Sequence, residues 1–274
     1  MEASTKVSVL MSVYIKEKPE YLKAALESVM TQTYPVDEVM LIEDGPLTEE
    51  LYAVINDYQS KYPDIIRTFA FEKNRQLGRA LAKGVELCSN ELIARMDTDD
   101  IAMPERIEKQ VAYMETHKEV HVLGGAIREF NDEGTTDRVK LMPKTQEEIV
   151  EYVKVRNPLN HMTVMFRRSA ILEVGNYQHF PFLEDYSLWS RMLSKGYQIR
   201  NMDDILVRAR TSMALVKRRS GWDYYKDFAK LRKFQYELGL LNNFEYIKTS
   251  VGTFVVLMLP GSLKSLLYKI FLRK

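Results

Sequence analysis

Apolar residues fall along the first two hundred positions in two alternating rhythms. Val7 to Val13 is a short apolar run, the pattern of a strand buried on both faces. After a polar loop, Leu22, Ala25, Leu26 and Val29 recur at i, i+3, i+4 and i+7, which gives a helix one apolar face. Pro19 opens that helix, where its missing N–H costs no hydrogen bond. The alternation continues through a strand at Val39 to Ile42, a helix from about Thr48 to Tyr58 and a strand at Ile65 to Phe71. A helix from about Gly78 to Leu87 and a strand at Leu92 to Met96 follow. Strands alternating with helices predict an α/β fold of βαβ units, with a mostly parallel sheet covered by helices on both faces.

The second hundred residues extend the pattern. A helix after Pro104 leads to a strand at Val120 to Phe130. The turn signal Asn131-Asp132-Glu133-Gly134 predicts a hairpin returning through Val139 to Leu141. A strand at Thr163 to Phe166, a helix at about Phe182 to Ser194 ended by Gly196, and a last strand at Ile205 to Arg210 complete it.

After Gly221 the strand rhythm stops and only helical patterning remains. The expected organisation is an α/β body at residues 1–215 and a helical C-terminal extension at 216–274. Lys226, Lys230, Arg232 and Lys233 crowd the first of its helices. Thr249 to Leu259 is almost wholly apolar, and Pro260-Gly261 breaks it. Leu263, Leu266, Leu267, Ile270 and Phe271 then form a stripe flanked by Lys264, Lys269, Arg273 and Lys274. Such a stripe suits the surface of a membrane, and equally a helical pair packed on the body.

Composition narrows the classes. The chain has 274 residues, 46% hydrophobic and 28% charged, with a formal net charge of +1. Those are the proportions of an ordinary globular protein. No basic stripe with interleaved aromatics occurs in the first two hundred residues, so nucleic acid is not an expected partner. Cys88 is the single cysteine, which excludes an internal disulfide and fits a reducing compartment. The N-terminal residues lack the long apolar stretch of a signal peptide, and no apolar run reaches the ~20 residues of a membrane span. The expected location is the cytoplasm.

Candidate chemistry concentrates where strands end, because ligands of open α/β sheets bind at the carboxyl ends of the strands. That rule puts Ser12, Tyr14, Glu43, Asp44, Asp97 and Asp99 along one rim. In Asp97-Thr98-Asp99-Asp100, carboxylates spaced i and i+2 leave a buried strand together. Mg²⁺ or Mn²⁺ takes such oxygen ligands and shares them with substrate phosphates. The competing reading is a solvated acidic loop. Asp44 is either a turn residue before Gly45 or an acceptor for a base or ribose, and Tyr14 offers a face on which a pyrimidine could stack. No Gly-x-Gly-x-x-Gly and no P-loop lysine follow the first strand, so phosphate charge must be met by metal and basic side chains. Arg218 and Arg219 are candidates for a leaving diphosphate, or form a basic turn.

Glu184 and Asp185 start a helix inside an aromatic patch, Phe180-Pro181-Phe182-Leu183. They either complement the helix dipole or supply a partly desolvated general base. His161 reads as structural, and no second histidine stands at a spacing suited to zinc.

Four blocks in order give the chain a family likeness: Val7-Ser8-Val9-Leu10-Met11-Ser12-Val13-Tyr14, Leu41-Ile42-Glu43-Asp44-Gly45, Met96-Asp97-Thr98-Asp99-Asp100 and Phe182-Leu183-Glu184-Asp185-Tyr186. Together they resemble the family 2 glycosyltransferases of the GT-A fold. His161-Met162-Thr163-Val164-Met165-Phe166-Arg167 looks like the bacterial capsule, exopolysaccharide and O-antigen branch. The resemblance spans roughly residues 6 to 210. It implies a nucleotide-sugar donor, usually a UDP-sugar, with Mn²⁺ or Mg²⁺, and inversion by single displacement onto a glycan or lipid-linked acceptor. Carried over, Ser12, Tyr14 and Asp44 would hold the nucleobase, and Asp97 and Asp99 would serve ribose and metal, with Asp100 as an alternative ligand. Asp185 would be the base and Glu184 its neighbour.

Three positions depart from the family pattern. Ile15 replaces an asparagine, Gln76 a glycine and Ala82 an asparagine. Two other classes stay in view. A sugar-phosphate nucleotidyltransferase would carry a glycine-rich first loop with arginine and lysine, which is absent after Val13. A non-catalytic nucleotide-sugar-binding protein would have no need of Asp97, Asp99 and Asp185 together.

Overall fold

The computed structural model describes residues 4–211 and 221–258. The chain divides into two compact units, Met1–Thr211 and Ser212–Lys274.

The first unit is built on one sheet. Strand β1 (Val7–Val13) lies between β2 (Glu38–Glu43) and β4 (Leu92–Asp97), with β3 (Ile66–Ala70) outside β2, all parallel. Helices α1 (Pro19–Met30), α2 (Glu49–Lys61) and α3 (Leu77–Leu87) connect them. The local reasons match the sequence. Pro19 stands in the first turn of α1, and Leu22, Ala25, Leu26 and Val29 are its buried residues. Thr48 caps α2 by accepting the Leu51 N–H. Every residue of β2 is buried, as a central strand covered on both faces requires.

The sheet continues beyond β4 in a different manner. The full order is β3-β2-β1-β4-β8-β6-β9-β5, with β7 paired to β6. Parallel pairing is confined to β1 through β4 and to β6 with β9. Short β8 (Met165–Arg167) runs antiparallel to both β4 and β6 (Val120–Phe130). The result is a mixed sheet rather than a mostly parallel one. Strand β5 (Ile101–Ala102) lies against β9 (Gln198–Arg210), and β7 (Asp137–Lys140) closes the expected hairpin with β6.

Other differences are local. Thr163 belongs to a 3₁₀ turn (His161–Thr163), since its hydroxyl bonds the Asn160 carbonyl and leaves only three residues for β8. Strand β9 begins at Gln198, seven residues before the expected Ile205, because it pairs along most of β6. Helix α4 (Arg106–Thr116) follows Pro104 as expected. Helices α5 (Gln146–Val153), α6 (Arg168–Glu173) and α7 (Glu184–Ser194) cover the second half.

The second unit contains α8 (Trp222–Glu237) and α9 (Asn243–Met258). Tyr225 and Phe254 meet edge to face at 5.2 Å between them. No residue of α9 is buried. Among the described residues no helix is long and apolar enough to cross a membrane. Arg218, Arg219 and the stripe from Leu263 to Phe271 with its basic flanks lie outside the described residues.

Candidate active site

Register assembles the rim. Ser12 of β1 pairs with Ile42 on one side and Asp97 on the other. The Asp44 N–H donates to the Val13 carbonyl at 2.8 Å, so Asp44 lies just past the same strand end. The Thr98 hydroxyl donates to Glu17 at 2.7 Å and lies 3.3 Å from the Ser12 carbonyl. Ser12, Asp44 and Asp97 therefore share one edge, although more than eighty residues separate the first from the last.

Asp44 is buried and accepts the Arg75 N–H at 2.6 Å. Burial raises its pKa, and the Arg75 contact works against that rise. Gly45 has φ +92°, and a Cβ there would stand 2.6 Å from the Asn74 nitrogen. Only glycine lets the segment before α3 approach this closely. Two residues on, Gln76 holds φ +70° and ψ 153°, a conformation that favours glycine. The departure from the family pattern noted at Gln76 is thus a strained residue.

The oxygens of Asp97, Asp99 and Asp100 lie within 4.8 Å of one another. Burial and the charges of Asp97 and Glu17 push Asp99 up to about 7. Burial, Asp97 and Asp99 raise Asp100 well above the usual carboxylate range. This cluster of hard oxygen donors carries more negative charge than its surroundings neutralise, and a divalent cation fits it. Asp97 is already engaged. Arg95, buried on β4, donates to both its oxygens at 2.6 and 2.5 Å. Asp100 accepts the Arg210 N–H at 2.7 Å. Of the three, Asp97 and Asp99 could hold a cation together.

Arg95 is the site residue that sequence reasoning missed. The signal was present: a cation interrupts the apolar run Leu92-Ile93-Ala94-Arg95-Met96, two places before Asp97 and so on the same face. Its charge also acts on His161, Tyr177 and Glu184. Arg95 is thus bonded to the acidic turn and close enough to the start of α7 for its charge to act there. Glu17 was missed too, because nothing local marks a loop glutamate. Arg210 belongs to the same corner. Its guanidinium stacks on Tyr21 at 3.8 Å, pairs with Asp132 and donates to the Asp99 carbonyl.

The second acidic pair starts α7. Burial and the neighbouring Asp185 push Glu184 up to about 7. Gly78 packs beneath it, since a Cβ there would meet the Glu184 Cβ at 3.0 Å. Asp185 has different surroundings. Its Oδ1 accepts the Tyr186 N–H at 2.7 Å, and its Oδ2 accepts the Asn157 amide at 2.6 Å. His161 Nδ1 lies 3.9 Å from the same Oδ2. His161 Nε2 is 2.9 Å from the Tyr177 hydroxyl. Burial and Arg95 hold the imidazole well below its ordinary pKa, so it is neutral. Just before the pair, Phe182 is exposed at φ +62°. Cys88 is buried and its thiol is pushed up to about 12, which fits a packing role.

Comparison with known proteins supplies context for this geometry. The profile described as Glycosyl transferase family 2 matches residues 8–175. The Erwinia amylovora protein named amylovoran biosynthesis glycosyltransferase AmsE is 43% identical over 231 residues, covering 84% of this chain and 86% of that protein. The Escherichia coli protein named UDP-Gal:alpha-D-GlcNAc-diphosphoundecaprenol beta-1,3-galactosyltransferase is 35% identical over 270 residues, or 98% and 97% of the two chains. Among solved structures, Staphylococcus aureus TarS in complex with UDP-GlcNAc superposes with TM-score 0.66 at 17% identity, covering 84% of this chain and 66% of that one. The Pyrobaculum calidifontis mannosyltransferase PcManGT in complex with GDP-Man and Mn²⁺ gives 0.65 at 14%, covering 98% and 80%. These superpositions share the GT-A fold.

Proposed function

The chain belongs to glycosyl transferase family 2, and from that premise we propose that it transfers a sugar, with inversion, from a UDP-sugar to a glycan or lipid-linked acceptor in surface polysaccharide assembly. One observation carries the reading. Arg95 pairs with Asp97 of a crowded carboxylate turn at the end of β4, and its charge also reaches Glu184, which starts α7 beside the hydrogen-bonded carboxylate of Asp185.

The division of labour follows from their chemistry. Asp97 and Asp99 would hold Mn²⁺ or Mg²⁺, which supplies positive charge for the leaving diphosphate when bound. Ser12, at the end of β1, Tyr14, just past it, and Asp44, just past β2, would serve the nucleoside. Asp185 takes the proton of the acceptor hydroxyl as that oxygen bonds to the anomeric carbon. The bond from that carbon to the diphosphate breaks in the same step, and the UDP departs. Asp185 starts α7 and the candidate metal ligands end β4, so base and leaving diphosphate would be met by separate elements, which is compatible with attack from the opposite face. The E. coli relative, whose name states a diphosphoundecaprenol acceptor, supports the lipid-linked alternative.

The second unit supports a place at the cytoplasmic membrane face. Helix α9 leaves Phe244, Ile247, Val251, Phe254, Val255 and Val256 exposed, an apolar face that could enter the headgroup boundary. Flotation of the purified protein with anionic vesicles at low salt is the expected outcome, and failure to float would remove this part.

The central test is UDP release from a panel of UDP-glucose, UDP-galactose and their N-acetylated forms, with and without Mn²⁺. Manganese-dependent release from at least one of them is expected. Release of pyrophosphate from UTP and a sugar phosphate would instead indicate a nucleotidyltransferase.

A further inference from the structure

The loop that follows α5 carries no acid, and yet it reaches the proposed base. Asn157 donates its amide to Asp185 Oδ2 at 2.6 Å. Its orientation is fixed, because Asn157 Oδ1 accepts the Leu159 N–H at 3.3 Å. The NH₂ end must therefore face Asp185, which receives a hydrogen bond that only a lone pair can accept.

The loop itself is anchored on several sides. The Pro158 carbonyl accepts Asn201 Nδ2 at 3.0 Å, and the buried Asn160 amide donates to the Gly125 carbonyl at 2.9 Å. The Thr163 hydroxyl accepts the Gly125 N–H at 3.0 Å. On the other flank, the Tyr186 hydroxyl donates to the Val153 carbonyl at 2.6 Å and ties the end of α5 to α7. Asn157 is thus carried by a braced segment, while the Tyr186 N–H holds the other oxygen of Asp185 from within its own helix. Two donors from different elements define the plane of the carboxylate.

We propose that Asn157 is a positioning residue for sugar transfer: its amide fixes the Asp185 carboxylate so that one lone pair meets the acceptor hydroxyl in a single orientation. The proposal rests on the reading of Asp185 as the base. In this role Asn157 exchanges no proton and acts through Asp185. It donates to the carboxylate and removes the rotational freedom of the side chain. His161, neutral and 3.9 Å from the same oxygen, fills the space behind it, supported by Tyr177. Titratable neighbours of the carboxylate include Glu184, His161 and Tyr177.

The test uses the full-length protein and UDP release from the UDP-sugar that the panel identifies, with Asn157→Ala, Asn157→Ser and Asp185→Asn. Thermal unfolding identifies which variants remain folded, and Asn157→Ser, which keeps a short hydroxyl donor, stands in if the alanine variant does not. The expected result for Asn157→Ala is a fall in kcat of about ten- to hundredfold, the scale of a hydrogen bond to a charged group. Donor KM stays within about twofold, as for an interaction made beyond the donor. The acid limb of the kcat profile moves to higher pH, because losing a donor to the carboxylate raises its pKa. Combined with Asp185→Asn, the Asn157 substitution adds little further loss. An unmoved acid limb, or a rise in KM equal to the fall in kcat, overturns the proposal. Retained turnover in Asp185→Asn would sink the base reading itself. A loss in Asn157→Ala would then show that Asn157 acts through something other than Asp185, and no loss would show that it does not act at all.

Discussion

The two halves of the site are built by different means. On the proposed nucleotide side, Ser12, Asp44 and Asp97 stand at the exits of adjacent parallel strands, and strand register brings them together. On the proposed acceptor side, Asp185 starts α7 and accepts a hydrogen bond from Asn157 of a distant loop, with His161 near the same oxygen and Tyr177 bonded to His161. The first half is crowded with charge that calls for a cation. The second pairs a hydrogen-bonded carboxylate, Asp185, with a buried one, Glu184. A transferase that inverts its centre needs this asymmetry, since one side must absorb negative charge as the other takes up a proton. The comparison also predicts that the halves fail separately.

The largest effect expected is on the acceptor side. Asp185→Asn preserves shape and removes the proton acceptor, so turnover should drop about 10²- to 10⁴-fold. Activity within a few-fold of the parent would move the role to another group, with Glu184 first in line.

The pH dependence of stability sharpens the contrast between Glu184 and its neighbour. Burial raises Glu184 from 4.5 to about 7 in the fold. The protonated form is therefore the one the fold favours. Its contribution is fully present below the unfolded value and is lost as pH rises toward the folded one. The loss is at most about 3 kcal/mol, at roughly 1.4 kcal/mol per unit. Asp99 and Asp100 contribute with the same sign, so the reading is the difference between proteins. Urea midpoints at pH 5 and pH 8 should fall less in Glu184→Gln than in the parent, and parallel losses would contradict the raised pKa.

The smallest effect concerns the loop before α3. Gln76→Gly relieves a left-handed residue, at the entropic disadvantage of a freer unfolded chain. A net gain of about 0.5 to 1 kcal/mol in urea unfolding is expected. A loss would mean that the Gln76 side chain holds the loop by contacts that outweigh its strain.

Legibility in the sequence follows the same division. The first four strands and their helices were readable because each is a contiguous apolar run or stripe, and the rim followed from the rule for strand ends. Beyond β4 the readings weakened. The apolar run around Thr163 to Phe166 hid a 3₁₀ turn, and nothing local announced that β8 would run antiparallel. Arg95 was readable in principle, as a cation breaking a buried strand two places before Asp97. Asn157 was not. Its importance lies in a contact to a residue twenty-eight positions away, which no periodicity records. The same holds for Glu17, whose proximity to Asp99 is created by the loop between β1 and α1.

The separability of the two halves is most directly tested by calorimetric titration of UDP into the parent, Asp99→Ala and Asp185→Asn, each with and without Mn²⁺. The account predicts that manganese strengthens UDP binding in the parent and in Asp185→Asn alike, and that Asp99→Ala loses this strengthening. Manganese-dependent binding that survives unchanged in Asp99→Ala, or disappears in Asp185→Asn, would contradict it.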